Sequence, residues 1–463
     1  MSAPYDVIVV GSGTAGCVVA NELSADPRRR VLLLEAGPDT AGGGADWFSG
    51  LRDAANFIPH RTVRRTPRAP VTPYLSGNGV GGSARVNGMI ALPGLPVDYE
   101  RWSAEFGCTE WSAQRVGPAV DVLRAAYPVV PPELTGPLDV ALMSAAGTLG
   151  YPRPVDLGDH PEGAGRLPLA ARHGIRSSSV ERFLLPALDR DNLTMATGAP
   201  VSRLDARRGR GVEVALADGR VVTAMQVVLC AGSFETPAIL HRSGIRRPGL
   251  GRNLRDHAAI TIPLELAGPA TATYWMASCL RASSVGGFAD IALFPFHHPG
   301  HGRHPATTFL MVALMTCESA GTLNFGSAAE PAAIHAESNL LRDPADAAAF
   351  DDAIDLALRV IDDTGFAATA RPSEPTQIAA LRDRQTRAEW LEHHLDGFFH
   401  ACGTARMGSP TDPLAVIDQH GRVLDADDVY VMDASCMPTI PRAPTHLTTA
   451  LIAQQLARRL AAR

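Results

Sequence analysis

The chain has 463 residues, a formal charge of −6 and an apolar share of 46%, enough to build two or three domains around ample core. The mild acidity argues against a nucleic-acid partner, which needs a basic face, and no apolar run approaches the length that spans a bilayer. Seven cysteines without any CxxC spacing suit free thiols in a reducing compartment, and the first strand opens so close to Met1 that no signal peptide is expected; a cytoplasmic protein is the expectation.

From Tyr5 the chain reads YDVIVVGSGTAGCVVANELSADPRRRVLLLEAGP. The apolar, mostly β-branched run 7–10 predicts a buried parallel strand, and 31–34 predicts a second. Between them stand Gly11-Ser12-Gly13-Thr14-Ala15-Gly16 and a helix-compatible segment. Gly11 permits a tight turn, Gly13 lets the backbone approach a pyrophosphate, and Gly16 lets helix and strand pack closely. The helix start at Thr14 and Ala15 offers free N–H groups and a positive dipole end to phosphates. Glu35, followed by Ala36, stands where an acid binds ribose hydroxyls and repels a 2′-phosphate, which favours FAD or NAD over NADP.

Residues 39–75 are rich in Gly, Arg and Pro and read as a long irregular excursion, with Arg61, Arg64, Arg65 and Arg68 expected on a solvated surface. The stretch 76–102 follows, SGNGVGGSARVNGMIALPGLPVDYERW. Its five glycines from Gly77 to Gly88, with Ser83 and Asn87 among them, suit a loop that presents backbone N–H groups to an anion while lying flat on a planar ring. The spacing of Gly81-Gly82-Ser83, Asn87-Gly88 and Asp98-Tyr99 to Trp102 resembles the first signature of the glucose–methanol–choline (GMC) family of flavin-dependent oxidoreductases. That resemblance implies FAD binding by Gly81, Gly82, Ser83, Asn87, Gly88, Met89 and Ile90. Ser76 and Asn78 replace usual basic residues, and Pro93-Gly94 replaces an Arg-Gly pair. Val86 stands where some members carry a histidine bonded to the flavin, so non-covalent FAD is implied.

Helical patterning at 116–127 and 140–149 is broken by a proline-rich link, and Arg176-Ser177-Ser178-Ser179 resembles the family's return to the flavin domain. Residues 201–222 alternate around Ala217-Asp218-Gly219-Arg220, a hairpin turn, and the family's adenine contact falls on Val201. The buried run 227–229 ends in Ala231-Gly232, small residues that admit a cofactor closely; onward through Thr236-Pro237 to Ser243-Gly244 it resembles the second signature, with His241 and Arg246 as departures. Gly251-Arg252-Asn253-Leu254-Arg255-Asp256-His257 is similar to the family's Gly-x-Asn-Leu-x-Asp-His, and His257 reads as structural, closing the flavin domain. Beyond it, the runs 260–266, 288–296 and 307–315 predict an antiparallel sheet with a helix at 344–360 behind it. The tract 297–304 holds four histidines but no carboxylate or cysteine, and its Pro and Gly predict a solvated or lid loop, not a metal site.

Phe399-His400-Ala401-Cys402-Gly403-Thr404-Ala405-Arg406-Met407-Gly408 matches the family's His-x-x-Gly-Thr-x-Arg-Met-Gly. Alcohol oxidation by hydride transfer to flavin N5 needs a group to take the hydroxyl proton, and an imidazole near pKa 6.5 suits that task, so His400 is the candidate general base. The resemblance implies that Asp433-Ala434 lies near the flavin's diphosphate and ribityl chain, and that a last helix from Thr445 points its N-terminus at the pyrimidine edge. The family's second catalytic Asn or His falls on Pro444, which neither donates nor takes a proton. His446, two residues on, is the candidate substitute or a cofactor contact.

These features imply an α/β protein: a Rossmann-like FAD-binding domain from 1–257 and 396–463, and an antiparallel-sheet substrate domain from 258–395. The expected activity is oxidation of a small-molecule alcohol (CH–OH) to a carbonyl, with electrons passing to O2 or another redox acceptor. An FAD-containing enzyme like the hydroxynitrile lyases and a non-catalytic flavin-binding protein stand as alternatives. The compact length and the PTIPRAPTH segment also resemble the mycofactocin-associated, actinobacterial branch, while an oxidase of a natural product or sugar fits as well. Oligomeric state is left open.

Overall fold

The strands Tyr5–Val10 and Val31–Leu34 lie parallel with Val7 opposite Val31, buried on both faces as two uninterrupted apolar runs require. The computed structural model describes residues 5–39, 53–172, 174–206, 211–269, 273–298, 307–326 and 333–462. In the first sheet the order is Leu193–Ala196, Val31–Leu34, Tyr5–Val10, Val221–Leu229, Val212–Leu216, Val201–Ala206. The run 227–229 is the far half of one nine-residue strand: its first half closes the hairpin from Val212, and its second half pairs in parallel with Tyr5–Val10 and with Val429–Val431. Helices Thr14–Leu23 and Thr445–Ala461 pack against each other beside this sheet.

The second sheet runs Ala370–Pro372, Ala258–Leu266, Thr307–Leu314, Ile291–His298, Ser278–Ala282, Gly163–Arg166, all antiparallel. Its two faces divide by the strand period of two. Ile291 and Leu293 turn to a core shared with Leu142 and Phe350, from helices Pro137–Thr148 and Pro344–Asp362. Ala292, Phe294 and Phe296 turn the other way, into a cluster with Met276, Met89 and Phe398. That second cluster joins the sheet to the dinucleotide half.

Several expectations change on contact with the fold. Gly163–Arg166 and helix Pro137–Thr148, from the stretch expected in the flavin domain, belong to the second sheet and its core. The excursion is not uniformly irregular: Arg61–Arg64 is a strand, parallel to Ile334–Glu337 and antiparallel to Thr72–Pro73; residues 40–52 of it lie outside the described residues. Arg61 and Arg65 are buried rather than solvated, facing Glu235 and Asp396, while Arg68 is exposed. His297 and His298 end a buried strand instead of opening a loop, and 299–306 lie outside the described residues. No group of three metal-ligating side chains occurs among the described residues. The seven cysteines are all free and buried. Among the described residues no helix is long and apolar enough to cross a membrane.

Candidate active site

The first glycine loop takes the shape its sequence requires. Gly11 has φ +94°, and a Cβ on Gly16 would stand 1.7 Å from the Gly11 carbonyl oxygen, so only glycine lets helix and strand meet there. A Cβ on Gly13 would meet nothing within 4 Å, and Gly13 caps the helix start with no side-chain acceptor. The first-turn N–H groups therefore have no side-chain cap, as a pyrophosphate site needs. Glu35 is buried at the end of the second strand; Oε2 accepts from the backbone N–H and hydroxyl of Ser12 at 2.9 and 2.6 Å, and Oε1 accepts from Gly37 N–H. It braces the loop while keeping lone-pair capacity for a ribose.

The second glycine loop docks onto the first. Gly81 N–H donates to Ser12 O at 3.0 Å, and a Cβ on Gly82 would sit 3.0 Å from Gly13 Cα. Ser83 Oγ accepts from Gly77 N–H. Asn87 Oδ1 accepts from Met89 N–H and from Arg176, whose other amino group donates to Asn87 O. Met89 is thereby held at φ +62°, a conformation uncommon for a non-glycine residue. Burial lowers the Arg176 guanidinium to about 10. Gly88 and Met89 line an apolar cleft with Leu169, Tyr274, Trp275 and Met276, and Ile90 is buried beneath.

The strand ends from the far side complete the cradle. Asp433 Oδ2 accepts from Gly232 N–H and Thr236 Oγ–H, and Oδ1 accepts from Ser435 N–H and Oγ–H. Its carboxylate is spent on bracing Ala231-Gly232 against Ala434, with burial raising its pKa. Val201 is buried at the start of its strand. Thr445 opens the last helix behind Pro444, and the ring of His446 reaches Thr14, with Oγ1 and Nδ1 3.1 Å apart. His446 Nε2 is buried with no hydrogen-bond partner among the described residues. Burial, then Arg176 and Arg182, lower His446 to about 4. An open helix start, glycines no side chain could replace and one orphaned buried imidazole nitrogen fit a dinucleotide laid across these loops.

His400 has neighbours of another kind. It follows Phe399, held at φ +57°, and its ring packs on Phe398 at 4.4 Å between centroids, where the second sheet's aromatic face begins. Part of the ring stays accessible, yet the surrounding protein and then neighbouring His257 hold its pKa well below 6.5. His257, read as merely structural, is its partner: the two Nδ1 atoms are 2.9 Å apart, and His257 Nε2 lies 3.0 Å from Pro441 O. Burial lowers His257 to about 3, although carbonyls at Pro441 and Met315 favour its charged form. Asp256 Oδ1 accepts from the backbone N–H of both histidines, at 2.9 and 2.8 Å. Burial raises Asp256 to about 7 against the pull of Arg65.

The tail of the first signature holds this arrangement from behind. Asp98 accepts from Arg442 N–H at 2.9 Å and from its guanidinium at 2.5 Å, and Trp102 Nε1–H donates to Thr439 Oγ1 at 2.9 Å. These bonds fix the segment that presents Pro441 O to His257. Among the described residues no hydrogen bond joins His446 to His400: the first meets Thr14 and the second His257.

Comparison with known proteins agrees with this geometry. GMC oxidoreductase family models match residues 5–259 and 317–453. The chain is 30% identical to pyridoxine 4-oxidase of Microbacterium luteolum and 29% identical to 5-(hydroxymethyl)furfural oxidase of Methylovorus sp. (strain MP688), with 98% of each chain covered in both alignments. The crystal structure of pyridoxine 4-oxidase from Mesorbium loti superposes with a TM-score of 0.87 at 25% identity, over 99% of both chains.

Proposed function

The chain belongs to the GMC oxidoreductase family and is an FAD-dependent enzyme acting on CH–OH donors; from that premise we propose that His400 is its general base. The observation that carries this reading is the neutral, partly accessible imidazole at the seam where the Met89 loop meets the aromatic face of the second sheet. Bound FAD supplies the hydride acceptor for the carbinol carbon. His400 takes the hydroxyl proton, because a histidine held below 6.5 is in its base form at neutral pH. The cradle of Gly11, Gly13, Gly16, Gly81, Gly82 and Gly232 carries the dinucleotide, and Val86 offers no side chain for a covalent flavin link, so the cofactor is held non-covalently. Met89, Leu169, Tyr274, Trp275 and Met276 form an apolar wall that favours an uncharged alcohol and excludes water from the reacting atoms. Pro444 supplies no second polar catalytic group, so the proton is moved by His400.

The substrates to try first are those in the names of its relatives, 5-(hydroxymethyl)furfural and pyridoxine. FAD-loaded protein mixed anaerobically with a panel of alcohols is expected to lose flavin absorbance, and His400→Ala is expected to slow that loss by about 10²–10⁴. A near-normal rate in the variant overturns the base assignment. Air admitted afterwards distinguishes O2 from another acceptor by whether the colour returns.

A further inference from the structure

We propose that His257 is a positioning residue that decides which nitrogen of His400 carries the lone pair, leaving Nε2 of His400 as the base that faces the substrate. This rests on the reading of His400 as the base and adds what orients it.

The assignment follows from what each neighbour is able to do. A carbonyl oxygen only accepts, so at 3.0 Å from Pro441 O the Nε2 of His257 must carry a proton. Neutral His257 then has its lone pair on Nδ1. The Nδ1 of His400, 2.9 Å away, has to donate into it. A neutral His400 that carries its proton on Nδ1 has a bare Nε2. The rings meet at 88° with centroids 5.1 Å apart, an in-plane approach for one ring's donor to the other's lone pair.

The backbone of both histidines is fixed by one atom, Asp256 Oδ1, and Phe399 holds a left-handed turn directly before His400. Pro441 is fixed through its neighbours, Thr439 by Trp102 and Arg442 by Asp98. When His400 gains the substrate proton at Nε2, its Nδ1–H bond becomes charge-assisted and His257 remains a neutral acceptor. Asp256 in turn faces Arg65, Asp396, Tyr74, Cys317 and Cys402, with Arg255 beside the two cysteines. Asp256 meets the two histidines through their backbone N–H groups; at the rings themselves the Pro441 and Met315 carbonyls and the inter-ring bond decide the tautomer.

The test compares His257→Leu, which removes the acceptor, with His257→Asn, whose amide oxygen lies near the position of Nδ1. Histidine-¹⁵N NMR of the FAD-loaded protein is expected to show His400 protonated at Nδ1 and bare at Nε2 in the wild type and the Asn variant, with the pattern reversed or mixed in the Leu variant. Anaerobic flavin reduction is expected to fall about 10²-fold in His257→Leu, with its acid limb displaced, and by less than about tenfold in His257→Asn. FAD content and melting temperature report folding. A wild-type spectrum with His400 protonated at Nε2 overturns the proposal even if His257→Leu does not fold. A folded, FAD-loaded Leu variant with unchanged tautomer and rate overturns it equally. The tautomer is read without turnover, so a failure of the base reading, seen as an active His400→Ala, is separable from a failure of this one.

Discussion

The two histidines of the C-terminal stretch sit in opposite kinds of place. His400 has another imidazole at one nitrogen, a phenyl ring on its face and the apolar core of the second sheet beyond. His446 has Thr14 of the glycine loop at one nitrogen, no hydrogen-bond partner among the described residues at the other, and the cations Arg176 and Arg182 close enough to depress its pKa. A region lined by cations, helix-start N–H groups and an orphaned imidazole nitrogen is built for an anionic dinucleotide. A region lined by aromatic rings and neutral imidazoles suits an uncharged alcohol and one mobile proton. On the proposed reading, two residues with the same side chain serve two ligands, and the surroundings decide which.

The sharpest way to break this division is a double-variant cycle. His400→Ala and His257→Leu belong to one unit, so the double variant is expected to reduce flavin no more slowly than His400→Ala alone, by about 10²–10⁴ below wild type in anaerobic stopped flow. Independent multiplication of the two losses contradicts a shared proton path. A smaller effect is expected at the other histidine. His446→Ala loses one donor or acceptor toward the dinucleotide, so equilibrium titration is expected to show FAD binding weakened about tenfold. A rate loss equal to that of His400→Ala with FAD affinity intact erases the distinction between the two sites.

Asp256 sharpens the comparison through pH. Its folded pKa of about 7 lies above the ordinary 3.8, so the folded protein holds that proton more tightly than the unfolded chain. The resulting stabilisation is complete below about 3.8 and is lost as pH rises to about 7, a contribution on the order of a few kcal/mol. Asp256→Asn keeps an acceptor oxygen without titrating. The difference in melting temperature between wild type and variant is therefore expected to drift with pH from about 4 to about 7 and level off above; a constant difference contradicts the assignment. The smallest effects lie at the excursion's arginines, where Arg61→Ala is expected to lower the melting temperature and exposed Arg68→Ala to change stability by less than about 0.5 kcal/mol.

The dinucleotide half was legible because its signals are local. Gly11, Gly13 and Gly16 fall within one six-residue stretch, and the adjoining strands are unbroken apolar runs. The His400 motif and the Asp98-to-Trp102 tail were equally plain as spacings. What those spacings hold was not. Asp98 and Trp102 act on Arg442 and Thr439, and His257 acts on His400, contacts that no pattern within one window records. The same reason hid Arg61: its strand partner lies at Ile334–Glu337, so its burial is decided by a stretch far along the chain. Gly163–Arg166 carries too few apolar residues to announce an edge strand, and it becomes one because Ser278–Ala282 is there to pair with it.

The most direct measurement is the pH dependence of anaerobic flavin reduction in His400→Ala beside the wild type, from about pH 6 to about pH 10. If the imidazole of His400 removes the hydroxyl proton, the variant starts about 10²–10⁴ below wild type, rises about tenfold per pH unit as hydroxide replaces it, and recovers in added imidazole. A variant that tracks the wild type at every pH contradicts the account.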